Sequence, residues 1–432
     1  MKSPLPSSHP VVETWRRFRK HRPALQSLRV IVAAALLALC APIIANEKPW
    51  YVQINGQNFF PAFSHKKFIA IKSGTGLDTL QTDQVKWREI KTDRIVFAPV
   101  VYSPSKSDYD NANFVSPFAE QKMVRDGKAE ILPLRYRHWL GTGARGNDLL
   151  AGLIHGTRVS LTVGVVSMGL ATVLGLFIGL MAGFWGDQRL TITRGKLLAL
   201  LLGIFVAWFY SFYPVSFPPE GASLFRRFFI IIAIMAALLF FFNFLGSLLA
   251  KLPRLNARIL LPVDSLLSRL IEIFVSLPVL LLIIIVAAVS KPSLMNVMAI
   301  IGFTTWTGIA RLIRAEMLRI RQLDYIQAAE ALGYSSARII FRHALPNAFG
   351  PALVAISIGV ANAILIESSL SFLGIGVAAE VTTWGSLINA GRQNLDAWWM
   401  VVFPGLSILI TVLSLNLIGE GLRDALDPRL RR

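Results

Sequence analysis

Hydrophobic positions in this chain gather into long unbroken runs. Eight such runs stand out, at 30–45, 159–185, 197–213, 228–250, 273–290, 294–309, 351–372 and 400–418. Each is comparable to the roughly 20 apolar residues that cross a bilayer core as an α-helix. Their continuity predicts helices, because barrel strands alternate lipid-facing and lumen-facing residues over about 10 positions. Composition supports the pattern: 54% of residues are hydrophobic and 16% charged, against roughly 25% charged in soluble domains. The expected fold class is therefore an all-α polytopic membrane protein.

Residues 47–157 break the pattern with Lys, Asp, Pro, Asn and scattered aromatics. Within them, Trp50-Tyr51-Val52-Gln53-Ile54, then Asn55-Gly56, then Phe59-Phe60 reads as a short β-hairpin, so a small external subdomain is expected. The first apolar run follows a tail carrying Arg16, Arg17, Arg19, Lys20, Arg22 and Arg29. A secretory signal peptide has the same order of charge and apolarity. The tail is long for that reading, and no small-x-small cleavage site precedes Asn46, Glu47 and Lys48. An uncleaved first span with a cytoplasmic N-terminus is the preferred reading. The one cysteine, Cys40, lies inside this run, which excludes an intrachain disulfide or a CxxC site.

The formal net charge of +19 would suggest nucleic acid in a soluble protein. Here the basic residues flank apolar runs, where they set orientation by the positive-inside bias, and no nucleic-acid partner is expected. Alternating sides from a cytoplasmic N-terminus puts four basic stretches inside: Arg189, Arg194 and Lys196; Lys251, Arg254, Arg258 and Arg269; Arg311, Arg314, Arg319, Arg321, Arg338 and Arg342; and a tail with Arg423, Arg429, Arg431 and Arg432. External loops carry less, with Lys291 alone in one and Glu380, Arg392 and Asp396 in another; Arg226 and Arg227 are the exception. The external segment does not upset this, since stretches beyond about 60 residues cross largely regardless of charge.

Catalytic signatures fail. Gly141-Thr-Gly143-Ala-Arg-Gly146 matches G-x-G-x-x-G, but no strand precedes it and no βαβ unit surrounds it, so it reads as a glycine-rich turn into a helix over 147–154. Gly195-Lys196 lacks the remainder of a P-loop, and the six histidines show no metal-ligand spacing. No cofactor or metal is expected on this chain.

The long basic loop is the informative segment. Asp324 can cap a short helix, Tyr325, Ala328, Ala329 and Leu332 share one face, and Gly333 supplies the terminating turn. Ser335 or Ser336 can start a second helix that ends near Pro346. Two short surface helices result, one with a face of small residues that another protein could approach closely. An amphipathic interfacial linker is the plainer reading of the same pattern.

This segment resembles the EAA motif of binding-protein-dependent ABC importers, EAA-x3-G-x9-I-x-LP, with Ala328, Ala329, Gly333, Leu345 and Pro346 at matching positions. Gln327 replaces the glutamate and His343 the isoleucine, and Arg342-His-Ala-Leu-Pro-Asn347 is similar to the form found in dipeptide and oligopeptide permeases. Further likeness to the C-type peptide subunit lies in His138-Trp-Leu-Gly-Thr142 through Asp148, in Ser369-Leu-Ser-Phe-Leu-Gly-Ile-Gly376 with Trp384-Gly385, and in Gly419-Glu-Gly-Leu-Arg-Asp-Ala-Leu-Asp-Pro428; Asn147 stands where that subunit usually has arginine. The long external segment looks most like the branch that carries larger peptides.

The resemblance implies a type I ABC importer permease core with six spans, so the stretch at about 187–258 reads as an insertion with two more. The expected layout is a basic tail 1–28, a first span 29–46, an external segment 47–157, a permease domain 158–424 with its coupling loop at 311–346, and a tail 425–432. The implied partners are a homologous second permease, two ATPase subunits, an external peptide-binding protein, the peptide substrate and the lipid of a bacterial inner membrane. ATP and Mg would sit on the ATPase subunits. Asp324, Tyr325, Gln327, Ala328, Ala329, Gly333, His343, Leu345 and Pro346 would form the ATPase-coupling site.

Few ionisable residues lie deep in the spans, and Glu272 and Glu367 are the candidates. Arg269, three residues before Glu272, offers it an interfacial ion pair. Glu367 with Asn362 and Ser368 is the candidate for the translocation path. Two rivals complete the reading. An ion-coupled carrier would need charged or broken-helix sites near the midplane, and a membrane-anchored enzyme would keep its chemistry near His65, His138 and the external carboxylates.

Overall fold

The computed structural model describes residues 10–64, 68–73, 76–81, 87–88, 92–125, 128–212 and 224–427. Helices dominate it. An N-terminal pair, α1 (Pro10–Phe18) and α2 (Arg22–Ile44), lies against the last helix. His21 initiates α2, its Nδ1 accepting the Ala24 amide at 3.2 Å.

The polar segment 47–157 is rich in β-structure. Strands β1 (Tyr51–Ile54) and β2 (Gln57–Phe59) form the expected hairpin, with Val52 opposite Phe59 and positive φ at both Asn55 and Gly56, as a two-residue primed turn requires. β3 (Phe68–Ser73) pairs with β4 (Gly76–Gln81), and β5 (Arg94–Val96) joins the free edge of β1. β6 (Lys122–Arg125) pairs with β7 (Lys128–Ile131). Val52, Ile54, Trp87, Phe97 and Val101 make a small core of their own. His65 lies outside the described residues.

The glycine-rich turn leads into α3 (Leu149–Leu180), capped by Asp148, which accepts the Ala151 amide at 2.6 Å. Gly146 has φ +79, and a Cβ there would lie 1.8 Å from the Asp108 carbonyl oxygen, so its glycines serve close backbone approach. A π turn, Met181–Trp185, ends the helix. The stretch expected as an insertion comes next: β8 (Thr191–Thr193), α4 (Arg194–Phe212), α5 (Leu224–Leu249) and β9 (Arg258–Leu260). The strands close it as a ribbon, with Thr191 opposite Leu260. Its helices pack antiparallel, Gly195 meeting Leu249 and Gly203 meeting Phe242.

Beyond β9 lie α6 (Val263–Ser276) and α7 (Val279–Val289), where the apolar run predicts one helix over 273–290. They meet at 79° across Leu277-Pro278. Proline lacks the amide to continue a helix and drives its predecessor to extended backbone, which Leu277 adopts with ψ 133.

The remainder comprises α8 (Leu294–Ile320), α9 (Asp324–Ala331), α10 (Ser336–Ile339), α11 (Leu345–Phe372), α12 (Trp384–Gly391) and α13 (Trp399–Leu426). Among the described residues five helical stretches are long and apolar enough to cross a membrane, at Arg22–Ile44, Leu149–Trp185, Leu294–Ile320, Ser336–Phe372 and Trp399–Leu426, and the bent α6–α7 pair would make a sixth. The junction between α4 and α5, at 213–223, lies outside the described residues.

The core centres on α3 against α8. Gly175, Gly179 and Gly183 recur every fourth position, and Cβ atoms there would stand 2.7 Å from the Ile309 Cβ, 2.6 Å from the Ala310 oxygen and 2.5 Å from the Met317 Cβ. Lipid gives two apolar helices no hydrophobic reason to associate, so close van der Waals contact of this kind must hold them.

Candidate functional site

The hairpin between α8 and α11 is seated by apolar contact. Ile326 is 0% and Ala329 7% exposed, and both join Ile339, Ile340 and Ala344 in the core cluster that contains Ile313, Met317 and Ile320 of α8. The shared face expected from the sequence is therefore rotated. Tyr325 is 43% and Leu332 74% exposed, with Gln327 and Ala328 also outward. Ile326 offers more apolar area to bury than the alanines, and it sets the roll of the helix. The outward set is Tyr325, Ala328 and Leu332, joined by Tyr334 and Phe341 beyond the turn.

Asp324 does not cap α9. The cap position is Leu323, with no side-chain bond, and Asp324 occupies the first turn, where its charge complements the helix dipole. Gly333 does end the helix: its φ is +75, its amide donates to the Glu330 carbonyl at 2.9 Å, and the Tyr334 amide reaches the Ala329 carbonyl at 3.1 Å. That bond pair is the Schellman closure. Ser335 caps α10, its hydroxyl accepting the Arg338 amide.

The second helix does not stop near Pro346. A π turn, Ile340–Ala344, carries it straight into α11, so Ser336–Phe372 is one long stretch. The Leu345 amide reaches back to the Ile340 carbonyl, and this widened turn relieves the crowding that a proline imposes on the preceding turn. Leu345 is half-buried, and Pro346 is exposed. His343 stacks on Tyr334 with ring centroids 6.3 Å apart, and the Arg338 guanidinium lies 5.1 Å from the Tyr334 ring.

Three residues to which the sequence assigns no role in coupling hold the hairpin's frame. The Asn347 side-chain amide donates to the Tyr325 hydroxyl at 2.9 Å and to the His343 carbonyl at 2.8 Å, joining the start of α9 to the start of α11. Arg189, just beyond α3, donates both terminal nitrogens to the Glu330 carboxylate at 2.6 and 3.0 Å. Asn347 closes the peptide-permease form of the motif and could have been singled out there; Arg189 and Glu330 stand 141 positions apart with no local signal.

The translocation candidates separate. Glu367 is 0% exposed and accepts from the Ser160 hydroxyl at 3.1 Å and the Ser371 hydroxyl at 2.7 Å, tying α11 to α3. Ser368 is buried beside it, and of the three only Asn362 reaches the surface. Glu272 pairs with Arg269 at 2.8 Å on an exposed face, as the interfacial reading expects.

At the opposite end of α3, His138 is fully buried between two carboxylates, its Nδ1 2.8 Å from Asp148 and its Nε2 3.2 Å from Asp108. The Tyr102 ring stacks on it at 3.9 Å, and Arg88 lies 3.6 Å from Asp108. Burial alone would push the imidazole down, but hydrogen bonds donated to Asp108 and Asp148 overcome it and hold the group above its usual range. Burial likewise opposes ionisation of Asp108, and the bonds and charge of His138 with Arg88 still keep that carboxyl below its ordinary value. Burial drives the Tyr102 phenol above its ordinary range. His138 and Asp148 belong to the stretch that resembles the C-type peptide subunit, whereas Asp108 is 30 residues upstream of His138 and carries no pattern.

Comparison with known proteins is consistent from end to end. Residues 243–432 match the family model described as binding-protein-dependent transport system inner membrane component. Residues 10–62 match the N-terminal transmembrane domain of oligopeptide transport permease C. An inner membrane ABC transporter permease protein, YejE of Escherichia coli strain K12, is 28% identical over 96% of each chain. A putative peptide transport system permease protein of Brucella suis is 32% identical over 71% of this chain and 81% of its own. A dipeptide transport system permease protein, DppC of Alkalihalophilus pseudofirmus, is 29% identical over 78% and 81%. By motif, by helix content and by these relatives, the chain belongs to the family of inner membrane components of binding-protein-dependent transport systems.

Proposed function

We propose that this chain is a permease subunit of an ATP-driven peptide importer, and that the hairpin 324–346 is where one of two ATPase subunits grips it. The observation that carries the second part is the outward set of Tyr325, Leu332, Tyr334 and Phe341 on a hairpin seated from below by Ile326 and Ala329. An apolar patch of that kind, rimmed by polar residues, marks a protein contact. Asp324, Gln327, Ala328 and Gly333 border it, while Ala329, His343, Leu345 and Pro346 hold its shape.

Peptide as cargo is drawn from the relatives, of which two carry peptide or dipeptide transport in their names. A homologous second permease would complete the pathway, and an external peptide-binding protein would deliver to it. ATP with Mg would be hydrolysed on the ATPase pair, drawing the two coupling hairpins together and turning an inward-facing cavity outward. Energy enters only through contacts that differ between the two states. Both termini lie in the cytoplasm of a bacterial inner membrane by the charge bias of the loops. The insertion adds two spans, an even number that preserves the sidedness of every later span. Asn362, exposed on α11, faces the path, with Glu367 and Ser368 fixing the helix behind it.

The test is Gly333→Val in the reconstituted assembly. A Cβ at Gly333 meets nothing within 4 Å, so the change acts through its left-handed backbone alone. Membrane insertion should be intact while uptake of a radiolabelled casein hydrolysate falls. Undiminished uptake would contradict the coupling role.

A further inference from the structure

The seat of α9 leaves one degree of freedom open. Ile326 and Ala329 are its buried side chains, three positions apart on an eight-residue helix, and the Asn347 bond to the Tyr325 hydroxyl steadies its first turn, so rotation of its last turn about the line of the two buried residues is opposed by neither. A motor pulling on Leu332 or Tyr325 would spend its stroke in that roll unless something opposed it. The Arg189 fork on Glu330 is placed to do so, one residue beyond Ala329 and to the side of the seat.

Arg189 is itself held. Its guanidinium lies 5.3 Å from the ring of Phe184, a buried core residue in the π turn that ends α3. Gly186, with φ +60, turns the chain out of that π turn. Two residues before Arg189, Asp187 accepts the Ser265 amide at 2.9 Å and the Ser265 hydroxyl at 2.5 Å, and next to Ser265 the Asp264 carboxylate accepts from Arg314 of α8 at 2.8 Å. Residues 187–189 thus join the end of α3, the start of α6 and the coupling helix, and the insertion ribbon begins immediately afterwards at Thr191.

We propose that Arg189 is a positioning residue for coupling: its bidentate bond to Glu330 blocks the roll of α9, so that force on the hairpin passes to the end of α3 and the base of the insertion. A fork of two parallel bonds fixes direction as well as distance, which a lysine ammonium would not. Arg321, whose charge is felt by the pair, completes a trio with one net positive charge. This inference rests on the coupling reading of the hairpin.

The test uses the tagged chain in its full assembly, purified with its ATPase subunits and reconstituted into vesicles, with radiolabelled casein hydrolysate as cargo. Arg189→Glu should leave the ATPase subunits bound and hydrolysing while uptake per ATP falls about tenfold, within the usual span of coupling effects, and Glu330→Arg should lower uptake per ATP to the same extent. Arg189→Gln, which removes the fork without reversing the charge, should fall in the same direction. The double exchange preserves the net charge of the trio and should restore uptake per ATP to within about threefold of wild type, a rescue that loss of fold would not permit. Wild-type uptake per ATP in the single variants, or a double exchange no better than either, would overturn this inference and leave the coupling reading standing. Absence of any ATPase on the wild-type chain would overturn that reading, and this inference with it.

Discussion

The two ends of α3 are held by opposite means. Its N-terminal end is locked by a buried polar cluster in which His138, Asp108, Asp148 and Arg88 answer one another and Tyr102 closes the stack. Its other end meets a hairpin seated by Ile326 and Ala329, tied by the half-exposed Arg189 and Glu330, and left with apolar side chains facing out. A saturated polar cluster has one low-energy arrangement, because a partner removed leaves a buried charge unanswered. The hairpin's polar ties lie at the surface, where each can be exchanged for water at little cost. The fold thus concentrates buried charge where the β-rich segment meets α3 and leaves exposed apolar side chains on the hairpin.

This contrast is open to attack at four points, from the largest change in stability to the smallest. Asp148→Ala removes both the cap of α3 and a carboxylate from buried His138; it should destabilise the chain by about 3 kcal/mol or more, read as thermal unfolding in detergent. A loss below about 1 kcal/mol would show the cluster to be loosely held.

Next is pH. His138 lies above its unfolded value in the folded chain, so its contribution is complete at pH below the ordinary imidazole range and disappears as pH climbs through the raised value. Asp108 lies below its unfolded value, so its contribution is present above the ordinary carboxylate range and is lost on acidification. Thermal stability should peak at mildly acidic pH and decline on both sides, and His138→Gln should flatten the alkaline decline. An unchanged profile in that variant would remove His138 as the source.

Gly333→Val should cost about 1–2 kcal/mol from placing a β-branched residue in left-handed backbone, confined to hydrogen exchange of the hairpin amides. Leu332→Asp should change stability by less than about 0.5 kcal/mol, as expected of a surface position, and yet abolish co-purification of the ATPase subunits. If Leu332→Asp also melts the chain, the residue belongs to the core and the contrast fails.

Legibility in the sequence divides along physical lines. Apolar runs of span length announce their helices because the bilayer imposes length and continuity at once, and Asn55-Gly56 announces its hairpin because few residues accept positive φ. The motif at 327–346 and its glycine turn are equally plain. The bend at Leu277-Pro278 is available from proline chemistry but hidden by unbroken apolarity. Gly175, Gly179 and Gly183 carry a spacing signal that hydropathy alone passes over. The roll of α9 depends on a choice between Ile326 and Tyr325 that only the floor beneath it decides. Pro346 reads locally as a stop, and the π turn before it reverses that reading. The pairs Arg189 with Glu330 and Asp108 with His138 are long-range contacts without a pattern.

The central claim is that the outward face of the hairpin is the motor's grip. Cys40 is the one cysteine in the chain, so a Cys40→Ser background with Leu332→Cys gives a single reactive thiol there. Maleimide labelling of that thiol should be fast in the isolated chain and strongly suppressed in the assembly with its ATPase subunits bound. Equal labelling rates with and without those subunits would contradict the account.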